Sequence, residues 1–148
     1  MTIRPLPQRL SPAAPMGSLL KHTRMVRKQV DRASAELHDY AHLAAVRELP
    51  CVRCGMEPAG EAAHIRHQSG THAKFGGMGK KPADQWTVPL CGSCHREDRD
   101  ALHRVGEQTF FADLGINPLL MCVRLYVASG DLVAMRAIVL TAIAERGA

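Results

Sequence analysis

The hydrophobic pattern of the chain predicts helical regions on either side of a short central region with strand character. From about residue 19 to residue 48, apolar residues recur at intervals of three and four, which is the spacing of one buried helix face. Pro50 ends this helix, because proline has no amide hydrogen to continue it. The predicted buried stripe consists of Val26, Val30, Ala33, Leu37, Tyr40, Ala41 and Ala44.

Between residues 51 and 104 the pattern changes to short apolar segments and a glycine-rich loop. We expect a strand near 61–66, a loop over 67–83, a second strand near 85–90, and a helix from about Cys94 to His103. The loop combines glycines, which let backbone amides approach a phosphate closely, with three lysines. It therefore suits a nucleic-acid backbone, and the alternative is a surface loop without a ligand.

Three further helices are predicted after residue 105. Gly106-Glu107 opens the first, which Gly115 closes, Asn117-Pro118 starts the second, and Asp131 caps the third. We assign them to packing and to no chemistry. The side chains predicted to face inward are Phe110, Phe111, Leu114, Leu119, Leu120, Val123, Val127, Leu132, Met135, Ile138, Val139, Ala142 and Ile143.

These elements predict an α+β, mainly α, fold. A length of 148 residues corresponds to about one domain. Residues 1–17 are proline-rich with scattered arginines, and we expect a flexible basic tail there. Residues 18–148 are predicted to form a single domain, with a core over 50–104 and a helical part over 105–148.

The distribution of basic residues indicates a negatively charged binding partner. The net charge is +5, and residues 1–32 hold seven of the basic residues against one acid. Such a basic arm favours a polyanion, with an acidic protein or a membrane surface as alternatives. Lys21, Arg24 and Lys28 fall opposite the apolar stripe, either as a solvated face or as a ridge that contacts phosphates. Because the sequence shows no apolar run of about 18 residues and no secretory signal, we expect a cytoplasmic protein.

Two Cys-x-x-Cys pairs, Cys51 with Cys54 and Cys91 with Cys94, carry the clearest chemistry. Thiolates at this spacing reach one tetrahedral ion, and two pairs supply the four sulfurs of a structural zinc site. Two disulfides would require an oxidising compartment, and a redox pair would require only one such motif. Cys122 lies among apolar neighbours and is predicted to be a buried free thiol.

The histidines near these pairs add a family resemblance. His64 precedes Ile65, and residues 87–90 lead directly into Cys91–His95. Together with residues 77–82, Trp86, His103 and residues 106–107, this arrangement resembles the HNH (His-Me finger) endonucleases, in particular the branch found in phages and prophages. The resemblance covers about residues 48–130.

The resemblance implies a ββα-metal finger with the zinc sulfurs at its base and metal-dependent hydrolysis of DNA phosphodiester bonds. By the same resemblance, His64 is the general base that activates water, and His95 binds a catalytic divalent cation such as Mg²⁺. Two positions depart from the family pattern. Position 63 is alanine, where the family often has a metal-binding Asp or His, and Asp84 is the nearest polar substitute for a bracing Asn expected near Trp86.

Helix geometry limits which residue replaces the missing ligand. His95 and His103 are eight residues apart, about 12 Å along a straight helix, so His103 joins only if the helix breaks or bends. Asp98, one turn from His95, could bind the same ion without distortion, and His67 or His64 are further candidates. A separate pair, His38 and His42, is predicted to lie at the surface rather than to bind a metal.

The predicted function is therefore an HNH-like DNA endonuclease. The first alternative is a zinc-stabilised, non-catalytic DNA- or RNA-binding accessory protein of recombination or replication, which Ala63 favours. Hydrogen-bonded core histidines at positions 64 and 95, or a zinc scaffold for protein partners, are the remaining alternatives. The predicted nucleic-acid contacts are Arg66, Lys74, Lys80, Lys81, Lys21, Arg24 and Lys28.

Overall fold

The computed structural model describes residues 38–72, 74 and 81–146. All of them belong to one compact unit, which covers Ala35–Ala148. The predicted tail, the boundary at residue 18 and the helix before residue 38 lie outside the described residues. Within the described part, the chain is α+β and mainly helical, as predicted, with five α-helices, one π-helical turn and a two-stranded sheet.

The elements follow one another along the chain with short connections. They are α1 (Tyr40–Glu48), β1 (Glu61–His64), β2 (Thr87–Leu90), the π-helical turn (Ser93–Glu97), α2 (Leu102–Val105), α3 (Glu107–Leu114), α4 (Pro118–Val127) and α5 (Leu132–Glu145). Side-chain oxygens of Asp39, Asn117 and Asp131 accept backbone N–H bonds in the first turns of α1, α4 and α5. Gly115 ends α3 in the left-handed conformation, at φ 66°, as glycine does at many helix ends.

The two strands form an antiparallel hairpin in which every residue of β2 is buried. His64 pairs with Thr87, and Ala63 pairs with Val88. Ala63 and Ile65 are fully buried, and side chains alternate along a strand, so His64 and Arg66 point to the other face. Helix α1 packs against both strands, and α4 packs against β2. The core therefore encloses β2, whereas His64 at the end of β1 stays half-buried.

The buried face of α1 differs from the predicted stripe. Tyr40 is 74% exposed, and Ala41 and Ala44 are also exposed, whereas His42, Leu43 and Val46 are buried. The predicted stripe runs through Asp39 without interruption. In the structure Asp39 is the N-cap of α1 and is not helical, with φ −106° and ψ 80°. Because the helix starts at this cap, its buried face does not follow the spacing of apolar residues predicted from residues before 39. The prediction that His42 lies at the surface is therefore wrong.

The inward face of α4 also differs from its prediction. Leu120, Val123 and Val127 are exposed, and Met121, Cys122 and Leu125 are buried instead. Nearly every residue of this helix is apolar, so the periodicity of the sequence did not distinguish a core face from a solvent face. Leu132 at the start of α5 is likewise 48% exposed.

The helix predicted from Cys94 to His103 is interrupted. The π-helical turn ends at Asp98, whose amide donates to the Ser93 carbonyl at 3.0 Å. Asp98 and Ala101 then adopt extended backbone, with ψ 157° and 155°, and α2 begins only at Leu102. The prediction of one continuous helix is therefore wrong, because extended backbone at Asp98 and Ala101 ends the first helical turn before α2 begins.

No single helix in the described ranges is long and apolar enough to cross a membrane. Helices α3 and α4 reach that length and composition only as a pair, which is bent by 80°.

We expect His42 to make the fold sensitive to mild acid. Its Nδ1 lies 2.9 Å from Ser129 Oγ, and its ring packs edge-on against Tyr126. Burial lowers the pKa of His42, so the unfolded chain binds the proton more tightly than the folded one. This contribution to stability is present above the unfolded pKa of about 6.5 and is lost as the pH falls below it. Urea unfolding at pH 7.5 and pH 5.5 should show a smaller loss of stability for His42→Leu than for the parent. An equal loss would contradict this account.

Candidate metal centre and histidine site

Two chain turns bring the four predicted cysteine ligands together. Cys51 and Cys54 lie in the turn after α1, where the Gly55 amide donates to the Cys51 carbonyl at 2.8 Å. Cys91 and Cys94 lie in the turn after β2. The first turn is joined to β2 by a 3.0 Å bond from the Val52 amide to the Pro89 carbonyl. All four sulfur atoms lie within 4.8 Å of one another.

The spacing of the sulfurs fits a metal ion better than disulfides. Metal–sulfur bonds of about 2.3 Å in a tetrahedron place the sulfurs about 3.8 Å apart. The Cys54 and Cys91 sulfurs are 3.6 Å apart, well beyond the bond of about 2.05 Å in a disulfide. All five cysteines of the chain are free thiols. The prediction of a four-cysteine site that could hold a metal is confirmed, and Cys122 is buried as predicted.

Burial of this cluster works against charged thiolates. Cys51, Cys91 and Cys94 are buried, and Cys54 is exposed. Burial raises the pKa of the Cys51 and Cys94 thiols, and the neighbouring thiols raise that of Cys94 further. A bound cation would offset both effects, because metal ligation stabilises the thiolate form.

The interruption after the π-helical turn brings two predicted histidines into contact. His95 Nε2 and His103 Nε2 are 2.9 Å apart, and the rings are tilted by 54°. A straight helix would separate these residues by about 12 Å. The sequence predicts that His103 approaches His95 only if the helix between them breaks. The structure has this break.

The distance between the two nitrogens also fits a shared divalent cation. Two ligands at about 2.0–2.1 Å from an octahedral ion and at right angles to each other lie about 2.9 Å apart. The same distance fits an N–H···N hydrogen bond when no ion is bound. The pair therefore has a suitable arrangement for two of the ligands of a cation.

Glu61 orients this pair, and the sequence prediction missed it. Its Oε2 lies 2.6 Å from His95 Nδ1, and its Oε1 pairs with Arg96. Although burial opposes the change, the bonds from His95 and Arg96 lower the pKa of Glu61. A carboxylate that accepts the Nδ1 proton leaves the Nε2 lone pair directed at a ligand, which is a common support for metal-binding histidines. The available signal was the strand register, which sets Glu61 opposite Leu90, next to Cys91.

His64 has a carboxylate partner of its own, Asp84. Its Nε2 lies 2.9 Å from Asp84 Oδ1. Asp84 is 1% exposed and also accepts the Asp39 amide at 3.0 Å, and His38 Nδ1 lies 3.4 Å from it. Burial lowers the pKa of His64, and the Asp84 bond only partly opposes it. His64 is therefore neutral near pH 7, as a general base must be.

Positive charges surround both histidine groups. Arg47 and Lys81 further lower the pKa of His64. Burial lowers the pKa of His103, and His95, Arg66 and Arg96 act in the same direction. Lys81 also pairs with Asp84 and Arg96 with Glu61, so these two charges are partly neutralised. Arg47 and Arg66 add positive charge that favours an anionic ligand such as a phosphate.

Other predicted site residues have different partners. Within the described ranges, only the four cysteines bring three or more ligand atoms together, so His64 is not a third ligand beside His95 and His103. Asp98 Oδ2 lies 3.8 Å from Arg53 Nη1. His67 donates its amide to Glu107 at 2.8 Å.

The predicted nucleic-acid contacts divide into three groups. Arg66 and Lys81 are exposed on the described surface. Lys74 is only 5% exposed, and its ammonium donates to the His67 carbonyl and lies 5.8 Å from the centre of the Trp86 ring. Its assignment as a phosphate contact is therefore wrong for this conformation, because hairpin and loop enclose its side chain. Lys21, Arg24, Lys28 and Lys80 lie outside the described residues.

The fold and the cysteine cluster define an α+β, mainly helical protein with a site that could hold a metal ion. Residues 23–125 match the model of a family described as a protein of unknown function (DUF968). The match covers most of the chain, and the chain therefore belongs to this family. Searches of curated proteins and of solved structures found no match.

The cysteine site leads to a prediction about metal content. The full chain, purified without chelator, should contain one tightly bound metal ion per chain by elemental analysis. Cys91→Ser should lose most of it and unfold at lower urea concentration, because the three remaining thiols, two of them buried, would no longer share a tightly bound cation. Cys122→Ser is the matched control, since this buried thiol lies outside the cluster. Equal metal content in Cys91→Ser and the parent would refute the site.

Proposed function

We propose that this protein is an HNH-like endonuclease that hydrolyses DNA phosphodiester bonds with a divalent cation. In this proposal β1, β2 and the interrupted helix after them form a ββα-metal finger, and the four cysteines hold a structural zinc. The observation that carries the proposal is the 2.9 Å approach of His95 Nε2 to His103 Nε2, with Glu61 on the opposite nitrogen of His95. A purely structural histidine pair does not require that carboxylate-oriented geometry.

His95 and His103 would hold the catalytic cation, Mg²⁺ or another divalent ion. When bound, such an ion stabilises the charge that develops on the departing 3′ oxygen. Glu61 fixes the tautomer of His95, so that Nε2 is the ligand atom. His103 replaces the acid or histidine expected at position 63, where Ala63 is fully buried and has no ligand atom. The four-thiolate set of the other site is typical of structural zinc.

His64 acts as the general base. Its Nε2–H donates to Asp84, and Nδ1 then accepts a proton from water. The hydroxide oxygen forms the new bond to phosphorus, and the bond from phosphorus to the 3′ oxygen breaks. Asp84 keeps the ring in the productive tautomer, because its buried carboxylate is itself fixed by the Asp39 amide.

The substrate class follows from charge. Arg66 and Arg96 lie near His103, and Arg47 and Lys81 lie near His64, so cations flank both proposed catalytic groups. The net charge of +5 also favours a polyanion. We assign the protein to the cytoplasm and, from its resemblance to the HNH branch found there, to a phage or prophage origin.

Plasmid cleavage tests the proposal. Supercoiled plasmid with Mg²⁺ or Mn²⁺ should be nicked by the parent, and His64→Ala should reduce the rate by about 10²–10⁴-fold, because it removes a general base. His95→Ala and His103→Ala should also abolish most activity. His72→Ala is the control, because His72 lines a pocket whose lining includes none of these three histidines. Cutting that survives both His64→Ala and His95→Ala would remove the assignment.

Glu61 provides a second test that does not depend on cleavage. Glu61→Gln should weaken Mn²⁺ binding by about 10–100-fold in calorimetry, because His95 Nδ1 would lose its carboxylate partner. Glu57→Gln is the matched control, since Glu57 also pairs with an arginine, Arg136. Equal affinities for the two variants would contradict the role of Glu61.

The second candidate is a zinc-stabilised DNA- or RNA-binding accessory protein of recombination or replication without cleavage. The full burial of Ala63 favours it, because the position where a ligand is expected faces the core. Tight, salt-dependent binding without nicking under any divalent ion would select this candidate.

A further inference from the structure

Arg53 connects the two sites of the molecule. It lies between Cys51 and Cys54, yet its guanidinium reaches the turn that leads from His95 to His103. Nη2 donates to Asp100 Oδ2, and Nη1 lies 3.8 Å from Asp98 Oδ2. Only 23% of its side chain is exposed.

Two further contacts involve the guanidinium and the backbone carbonyl of Arg53. The guanidinium carbon lies 5.6 Å from the centre of the Phe110 ring, within reach of a cation–π interaction. The Arg53 carbonyl accepts a 2.8 Å bond from Arg146 Nη1. Because arginine is a planar fork with several donors, it can serve both carboxylates at once.

The turn held by Arg53 determines whether the histidines meet. Over residues 98–101 the chain leaves the helical path, and the Ala101 amide donates to the Asp98 carbonyl at 3.1 Å. The carboxylates of Asp98 and Asp100 lie in this one turn, and their repulsion is offset by the guanidinium between them. Without the turn, His103 would not lie 2.9 Å from His95.

We propose that Arg53 is a positioning residue that couples the four-cysteine site to the His95–His103 pair. An ordered cysteine cluster fixes Arg53, Arg53 fixes the turn at residues 98–101, and the turn holds His103 against His95. The consequence for cation binding rests on the function proposed above. The effect on the turn does not rest on it.

Hydrogen exchange of the full chain tests the positioning directly. In Arg53→Ala, the amides of Ala101, Arg104 and Val105 should exchange at least about tenfold faster than in the parent, while the amides of α5 keep their rates. Arg53→Lys should give an intermediate rate, because it keeps the charge and loses the fork. Arg136→Ala is the matched control, an arginine that pairs with Glu57 away from the turn. Unchanged rates in Arg53→Ala would overturn the proposal.

Mn²⁺ binding then tests the coupling, with the metal content of the cysteine site verified in each variant. Arg53→Ala should weaken Mn²⁺ binding by about 10–100-fold relative to the parent and to Arg136→Ala. If Arg53→Ala fails to fold or loses metal from the cysteines, Asp100→Asn decides, since it removes the same ion pair and leaves the cysteine turn intact. It should accelerate exchange at residues 101–105 and weaken Mn²⁺ binding, and parent-like values in both would overturn the proposal.

The two proposals fail separately. If Mn²⁺ binding to the parent is independent of His95 and His103, the proposed function fails, and hydrogen exchange still judges the role of Arg53. If binding depends on both histidines but is unchanged in Arg53→Ala and Asp100→Asn, the coupling fails and the proposed function stands.

Discussion

The convergence of four sulfur atoms from two chain turns is the constraint on which the rest of the site depends. One turn follows α1 and the other follows β2, so the cluster ties the helix to the end of the hairpin. The Val52–Pro89 backbone bond beside it makes the same connection. Because His95 directly follows Cys94, the cluster also fixes the backbone position of His95. From that position its imidazole contacts Glu61 on β1.

Buried or partly buried carboxylates then orient each imidazole. Glu61 binds one nitrogen of His95, and Asp84 binds one nitrogen of His64. The two carboxylates differ in environment, since the side chain of Glu61 is 28% exposed and that of Asp84 is 1% exposed. Burial keeps the pKa of His64 low, whereas the broken helix supplies His95 with a second imidazole. The described residues thus place a neutral imidazole at His64 and two adjoining imidazoles at His95 and His103, with no acid at position 63.

Local signals in the sequence predicted a large part of this arrangement. Cysteine spacing predicted the cluster, and Asn117, Asp131 and Gly115 marked helix ends correctly because capping depends on adjacent residues only. The phase of α1 was lost at its N-cap, and the uniformly apolar α4 gave no periodic signal. Glu61 could not be recognised from local pattern, because its role depends on the register with β2 and on a contact with His95, 34 residues later in the sequence. The sequence predicts the break in the helix between His95 and His103 only as the condition under which His103 approaches His95.

Anomalous diffraction from crystals of the full chain soaked in Mn²⁺ would test the central claim most directly. The account predicts one metal peak enclosed by the sulfurs of Cys51, Cys54, Cys91 and Cys94, and a separate manganese peak within about 2.3 Å of the Nε2 atoms of both His95 and His103. A manganese peak remote from both imidazoles, or sulfurs that surround no metal, would contradict it.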